Sequence, residues 1–138
     1  MAAIQNIKIA LESAVKSAFP TDTIAWDNVV FSSPTDGSFW MAVNIIVGTP
    51  NNSVMGDAFY IEMGLLQITL SYPVNGGSGK AYSKAGDVQD AFKRGSSFTK
   101  NGTTVKILTS PSIQPSSVQQ DRYILPIRIT WSAEVFPA

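Results

Sequence analysis

The chain has 138 residues, the size of one domain around one core. Lys plus Arg and Asp plus Glu number 10 each, so the net charge is zero, and the clustered basic excess that phosphate binding needs is missing. There is no Cys and no His, which excludes disulfides, thiolate nucleophiles, Cys-ligated zinc, the Ser-His-Asp triad and the commonest metal ligand.

Charged residues make up 14% of the chain, below the usual quarter or so of soluble domains, and a charge-poor surface suits a chain that partners cover. The basic residues are scattered, with Lys80 and Lys84 the nearest thing to a patch. Lys8, Glu12 and Lys16 interrupt the apolar residues of the N-terminus, so it does not read as a signal peptide. No apolar run approaches the roughly 18 residues of a membrane span. The expectation is a soluble chain with neither nucleic acid nor membrane as its main partner.

Residues 2–18 carry Ile4, Ile7, Leu11, Val15 and Ala18 at spacings of three and four, which predicts an amphipathic helix packed on a sheet. Glu12 and Lys16 are spaced for an ion pair on its polar side, and Pro20 stops it. Residues 24–31, rich in β-branched and aromatic side chains, read as a strand, and 32–38, with Pro34 and Asp36-Gly37, as a turn. Residues 39–47 form a second strand with Phe39, Met41, Val43, Ile45 and Val47 on one face and Trp40, Ala42 and Ile46 on the other. A strand apolar on both faces is covered on both; helices cover one side, and loops or a neighbouring subunit the other.

Residues 48–57 are a long polar loop, and Asn51, Asn52, Ser53, Val54 and Met55 are candidate partner contacts; Val54 and Met55 either fold back on the core or sit at the loop tip. Residues 58–72 are a third strand with Phe59, Ile61 and Met63 before Gly64 and Leu66, Ile68, Leu70 and Tyr72 after it. One inserted residue would produce that change of parity, so a β-bulge is expected at Gly64. The loop 73–80, PVNGGSGK, fails the phosphate-loop pattern because Val74 and Ala81 stand where Gly and Ser or Thr are needed. It reads as a flexible turn into a second helix, 81–94, with Ala81, Ala85, Val88 and Phe92 inward, Gly95 as C-cap, and an internal Gly86 that close packing on the sheet would justify.

Asn101-Gly102 signals a turn, 103–109 a fourth strand, and 110–120 a second polar, Pro-containing loop with Gln114, Ser116 and Val118 as candidate contacts. Residues 122–136 alternate cleanly from Tyr123 through Leu125, Ile127, Ile129, Trp131 and Ala133 to Val135, which predicts a long half-buried strand. At about 50 Å it must bend or leave its own sheet, and Pro126 marks a bend or an unpaired edge. Trp131 belongs either to the core or to a contact with a neighbour. The fold class is α+β: one mainly antiparallel sheet of about five strands, two helices on one face, order α-β-β-β-α-β-β, in one domain over 1–138.

Catalysis would have to use carboxylates, Lys, Ser or Tyr. Asp87 and Asp90 read as solvated helix surface, and Asp27 and Glu62 as strand residues on polar sites; Asp121 and Glu134 complete the candidates. No Asp-rich calcium loop is present. Trp26, Trp40 and Trp131 could stack on a sugar, but strand tryptophans are more often core or interface residues. The expectation is no enzyme, no cofactor and no metal.

The order of elements and several short motifs resemble the phage tail terminator-like family. The shared features are Ile24-Ala25-Trp26-Asp27-Asn28-Val29, the strand around Trp40, Gly64-Leu65-Leu66-Gln67-Ile68, Tyr72-Pro73 and the 76–79 loop. Ala85-Gly86-Asp87-Val88 leading to Phe92, and Tyr123-Ile124-Leu125-Pro126 through Trp131, continue them over nearly the whole chain. The resemblance implies a hexameric ring of identical subunits on the finished tail tube. That ring stops polymerisation of the tube and presents a surface to the neck or head-completion protein. It also implies a place in the virion near the head-tail junction, and assembly in the bacterial cytoplasm. The alternatives are another tail or neck component, such as a tube or connector subunit, and a monomeric glycan-binding module.

Overall fold

The computed structural model describes residues 3–32, 38–52 and 59–136. Helix α1, Ala3–Ala18, buries Ile7, Leu11 and Val15 one turn apart, widened by Ala10 and Asn6. Ile4 and Ala18, expected on this stripe, are exposed. Asn6 is tolerated inside because it donates to Thr103 Oγ1 at 3.5 Å and accepts from Asn101 Nδ2 at 3.2 Å. The ion pair on the polar side is Lys8–Glu12 at 2.9 Å, not Glu12–Lys16. Helical side chains lean toward the N-terminus, which carries Glu12 back to Lys8.

The first strand is shorter than expected. Strand β1 holds only Ile24–Ala25, and it runs parallel to β2, Trp40–Val47. Asp27-Asn28 then turns the chain: Asn28 takes φ 58°, and Val29 N–H donates to the Trp26 carbonyl at 3.3 Å. Asn tolerates this left-handed backbone, and local turn chemistry outweighs the β-propensity of Val29 and Val30. The expected turn at 32–38 falls mostly outside the described residues.

Strand β3, Tyr60–Pro73, pairs with β2 on one side and with β8, Arg122–Val135, on the other. There is no bulge at Gly64. The register runs unbroken through Gly64, which lies opposite both Val47 and Trp131. The parity change has another cause. Glu62, Gly64, Leu66, Ile68 and Leu70 all share one face, so Ile61, Met63 and Leu65 stay together on the opposite face.

Helix α2, Gly79–Ala91, buries Ala81, Ala85 and Val88, and it is capped by Phe92, whose N–H donates to the Val88 carbonyl. Gly95 therefore lies three residues past the cap; at φ 89° it bends the chain toward Ile107, to whose carbonyl it donates. Strands β4, Ser97–Lys100, and β5, Thr103–Ile107, form a hairpin around Asn101-Gly102, both at positive φ. The asparagine-glycine turn is as the sequence predicts, but the β4 arm is not foreseen there.

The segment 110–120 is not a free loop. Strands β6, Ser112–Ile113, and β7, Ser117–Gln119, both pair with β8, and Gln114 N–H donates to the Pro126 carbonyl at 2.9 Å. This placement explains Pro126. In an antiparallel strand one residue's N–H and C=O point to the same side. The donor that Pro126 lacks therefore faces the gap between β6 and β7, and not the continuous ladder with β3. β8 stays in its sheet throughout: β3 flanks its whole length, and β5, β6 and β7 share its other side.

The sheet order is β1-β2-β3-β8-β5-β4, with β6 and β7 also on β8. It is thus a mixed sheet of eight strands, larger than the expected five and parallel at one edge. Met41 and Val43 of β2, Leu66, Ile68 and Leu70 of β3, and Leu125 through Ala133 at alternate positions of β8 form one buried cluster with the inward residues of both helices.

Candidate assembly surfaces

Lys84 links three elements at one end of the sheet. Its ammonium pairs with Asp22 at 2.9 Å and lies 5.3 Å and 5.4 Å from the Phe19 and Phe39 ring centres. Phe39 stacks on Tyr72 at 4.5 Å. Burial, then the negative charges of Asp22 and Asp87, raise the Tyr72 phenol above its ordinary pKa. Nearby, Arg122 donates from Nε to Ser71 Oγ at 2.8 Å and from Nη2 to the carbonyls of Ser71 and Ser38 at 2.8 Å and 2.6 Å. The neighbouring Tyr123 raises the pKa of the exposed Tyr82 phenol, chiefly through charge repulsion. These contacts hold elements together, and none of them gathers groups with the spacing of a catalytic pair.

The other titratable groups are equally dispersed. Asp27, Asp87, Asp90, Asp121 and Glu134 are exposed. Glu62, expected on a polar site, is 8% exposed on the core face, and its Oε1 has no hydrogen-bond partner. Among the described residues no group of three acidic side chains is placed to hold a metal ion. No described helix is long and apolar enough to cross a membrane. The tryptophans do not form a platform: Trp131 is fully buried, Trp40 packs against Phe31 at 4.9 Å, and Trp26 is half-buried against the core.

Of the candidate contact residues, Asn51 forms a two-way backbone bridge with Ile61, at 2.8 Å and 2.9 Å, and Asn52 follows it, exposed. Ser53, Val54 and Met55 lie outside the described residues. Gln114 is half-buried, while Ser116 and Val118 are exposed along the β6–β7 side of β8. The two groups are not brought together: Asn51 flanks β3, and Val118 lies beyond β8.

Three apolar surfaces stand out, of which the sequence pointed only to the first, through the second apolar face of residues 39–47. The first is the outer face of the sheet at one end, where Ile46, Ile61, Met63 and Leu65 cluster beside the stacked pair Phe59 and Phe136. Phe136 and Ile46 are exposed. The parity change at Gly64 was a further signal. The second is the turn after β1, where Val29 is 59% and Val30 98% exposed. The third is a groove of about 660 Å³ between α1, α2 and β4. Ala10, Ala14, Ala18, Ala91 and Phe98 line it, with Asp90 and Lys100 also present. Alanines four residues apart on α1 were its sequence signal.

The edge of the sheet is also open. Met41 N–H donates to Thr23, so odd-numbered residues of β2 point their main chain outward. Pairing with β1 reaches only Ala42, so Ile45 and Val47 have no strand beside them among the described residues. β2 itself carries no charge and no proline, the usual devices against unwanted strand pairing.

Open edges, exposed aliphatic patches and dispersed titratable groups are the make-up of a structural subunit. The sequence profile described as "Phage tail terminator protein" matches residues 6–131, and the chain belongs to that family, which makes it a structural component of a phage tail. No curated protein sequence matches the chain. One solved structure superposes over 96% of both chains with a TM-score of 0.77 at 20% identity, a likeness of fold.

Proposed function

We propose that identical copies of this chain close into a hexameric ring on the finished tail tube, stop its polymerisation and present a joining surface to the neck or head-completion protein. The subunit is not an enzyme and needs no cofactor. It is assembled in the bacterial cytoplasm and sits near the head-tail junction of the virion. The family match over residues 6–131 carries this reading. The edge of β2 beyond Ala42, which no strand among the described residues covers, and the apolar outer face support it, because cyclic symmetry buries a repeated surface without leaving open ends.

In this arrangement the residues after β2, Asn51 to Met55, and the β6–β7 side, Gln114, Ser116 and Val118, contact the tube and the neck. Imaging of virions tests the reading. A multimeric ring of this chain between tube and head is expected, and a tail end without one overturns it.

A further inference from the structure

We infer that the free edge of β4 in one copy pairs, in parallel, with the free edge of β2 in the next, so that the sheet runs on from subunit to subunit. This rests on the ring reading and adds the contact that builds the ring.

The sheet ends in two edges. β1 covers β2 only as far as Ala42, and β4 pairs with β5 alone among the described strands. Every neighbour along β2-β3-β8-β5-β4 is antiparallel, so β4 runs in the same direction as β2. In a cyclic ring all copies keep the same polarity along the axis. A β4 edge brought to the next copy's β2 is then parallel to it, as β1 already is.

The side chains select the same pairing. On β2 the odd-numbered residues point their main chain outward, because Met41 N–H donates to Thr23 while Gly48 N–H donates inward to Met63. Ile45 is one of these, and its side chain packs against the core. On β4 the outward residues are Ser97 and Thr99. Ile107 N–H donates to the Ser96 carbonyl, so odd-numbered residues of β5 face β4, and Val105 bonds Phe98. Thr99 and Thr104 form the alternate, unbonded pair, with their hydroxyls 2.9 Å apart.

Phe98, between the two outward residues, packs against the core and lies 5.5 Å from the Phe92 ring. An antiparallel pairing would set Ile45 opposite Ser97 or Thr99, with side chains on opposite faces of the sheet. In the parallel pairing Ile45 sits beside Phe98. Its N–H donates to the Ser97 carbonyl, and its carbonyl accepts from the Thr99 N–H. Both partly buried apolar side chains then share the helix-bearing face and cover each other. Strand direction and side-chain face are separate observations, and they pick one arrangement. The lengths also agree, since the four residues of β4 fit beside the open stretch from Val43 to Val47.

This register sets Asn44 beside Ser97 of the next copy, both exposed on the outer face. Neighbouring strands lie about 4.8 Å apart, within disulfide reach. Inside one copy β3, β8 and β5 stand between the two positions. The sequence has no cysteine, so introduced thiols are the only ones present. The test uses Asn44→Cys with Ser97→Cys in the full chain, carried on assembled tails and oxidised. Covalent multimers climbing to the full ring are expected, with neither single variant linked. A dimer from Asn44→Cys alone would mean that β2 pairs with another β2, which overturns the inference. A ring seen by imaging whose thiols stay unlinked also overturns it and leaves the ring reading standing. Wild-type tails without any ring overturn both.

Val47→Pro supplies the second measurement. It deletes an N–H that no described strand accepts, and edge strands tolerate proline, so its melting temperature should stay close to the wild type. In the ring that N–H donates to the Thr99 carbonyl of the next copy. Copies bound to tails should fall about tenfold or more, while Val47→Ala, which keeps the N–H, should bind as the wild type does. Undiminished tail binding by Val47→Pro overturns the inference.

Discussion

Two glycines in this chain predict opposite effects of one added methyl group. A Cβ on Gly64 would fall on the Ile46 carbonyl oxygen and 2.9 Å from Trp131 Cζ2. The first is backbone and cannot swing away, so Gly64→Ala should destabilise by about 3 kcal/mol, the upper part of the overpacking range. A Cβ on Gly86 would meet nothing within 4 Å, inside helix α2. Close packing does not explain that glycine, and Gly86→Ala should stabilise by about 1 kcal/mol, which raises the melting temperature by roughly 3 °C. Thermal melts of the pair check both signs at once. Trp131 is fully buried inside the subunit, which decides between core and neighbour contact in favour of the core. Trp131→Ala should cost about 3–5 kcal/mol and lower the melting temperature even of isolated monomer. The buried alternation around Trp131 was legible in the sequence because a period of two over so many residues has one physical reading. Gly64 was not. A parity change in one strand fits either a bulge or a face that is apolar outside, and only the partner strand's register separates them.

Among the elements, the long ones were legible and the short ones were not. Helices α1 and α2 and strands β2, β3 and β8 carry enough periods to be read from pattern alone. β6 and β7 are two and three residues of Ser, Ile, Val and Gln, and they are strands because β8 offers them an edge. Tertiary pairing made them, so no local signal existed to find. β1 errs the other way, since Asp27-Asn28 outvoted the valines that follow. The end of the sheet near Arg122 depends on one guanidinium. Removing it leaves Ser71, at 1% exposure, without its donor, so Arg122→Ala should cost about 2 kcal/mol by chemical denaturation with an unchanged slope. The Tyr72 phenol gives the same region an alkaline limit. Its pKa in the fold lies above the ordinary 10.0, raised by burial and then by Asp22 and Asp87, so the fold favours the neutral form. That contribution is complete below pH 10 and fades as pH rises through the raised value. Tyr72→Phe should flatten the loss of stability on that alkaline limb, and an equally steep limb in the variant would count against this origin.

At the scale of the molecule, the family and the layered arrangement were legible, while the surfaces that meet partners were only half so. Low charge and a strand apolar on both faces pointed to coverage by neighbours. Which residues stand outward depended on register and on the turn after β1. Six copies of the 14.8 kDa chain would weigh about 89 kDa, so the expected ring is readily told from monomer by mass once it is released from tails. A released species of single-subunit mass would argue against a self-sufficient ring. The position of β8 in this plan has a consequence for biogenesis. β3, β5, β6 and β7 all pair with a strand that follows them in the chain. A ribosome making about 5–20 residues per second exposes β3 for several seconds before its central partner is translated. During that interval the chain holds a long uncovered apolar strand, the situation in which chaperones bind nascent proteins. Sheet closure is then a late and long-range event, of the kind that slows folding. Stalled chains that stop before Arg122 should partition to aggregates or to chaperones, and full-length chains should acquire protease resistance only after release.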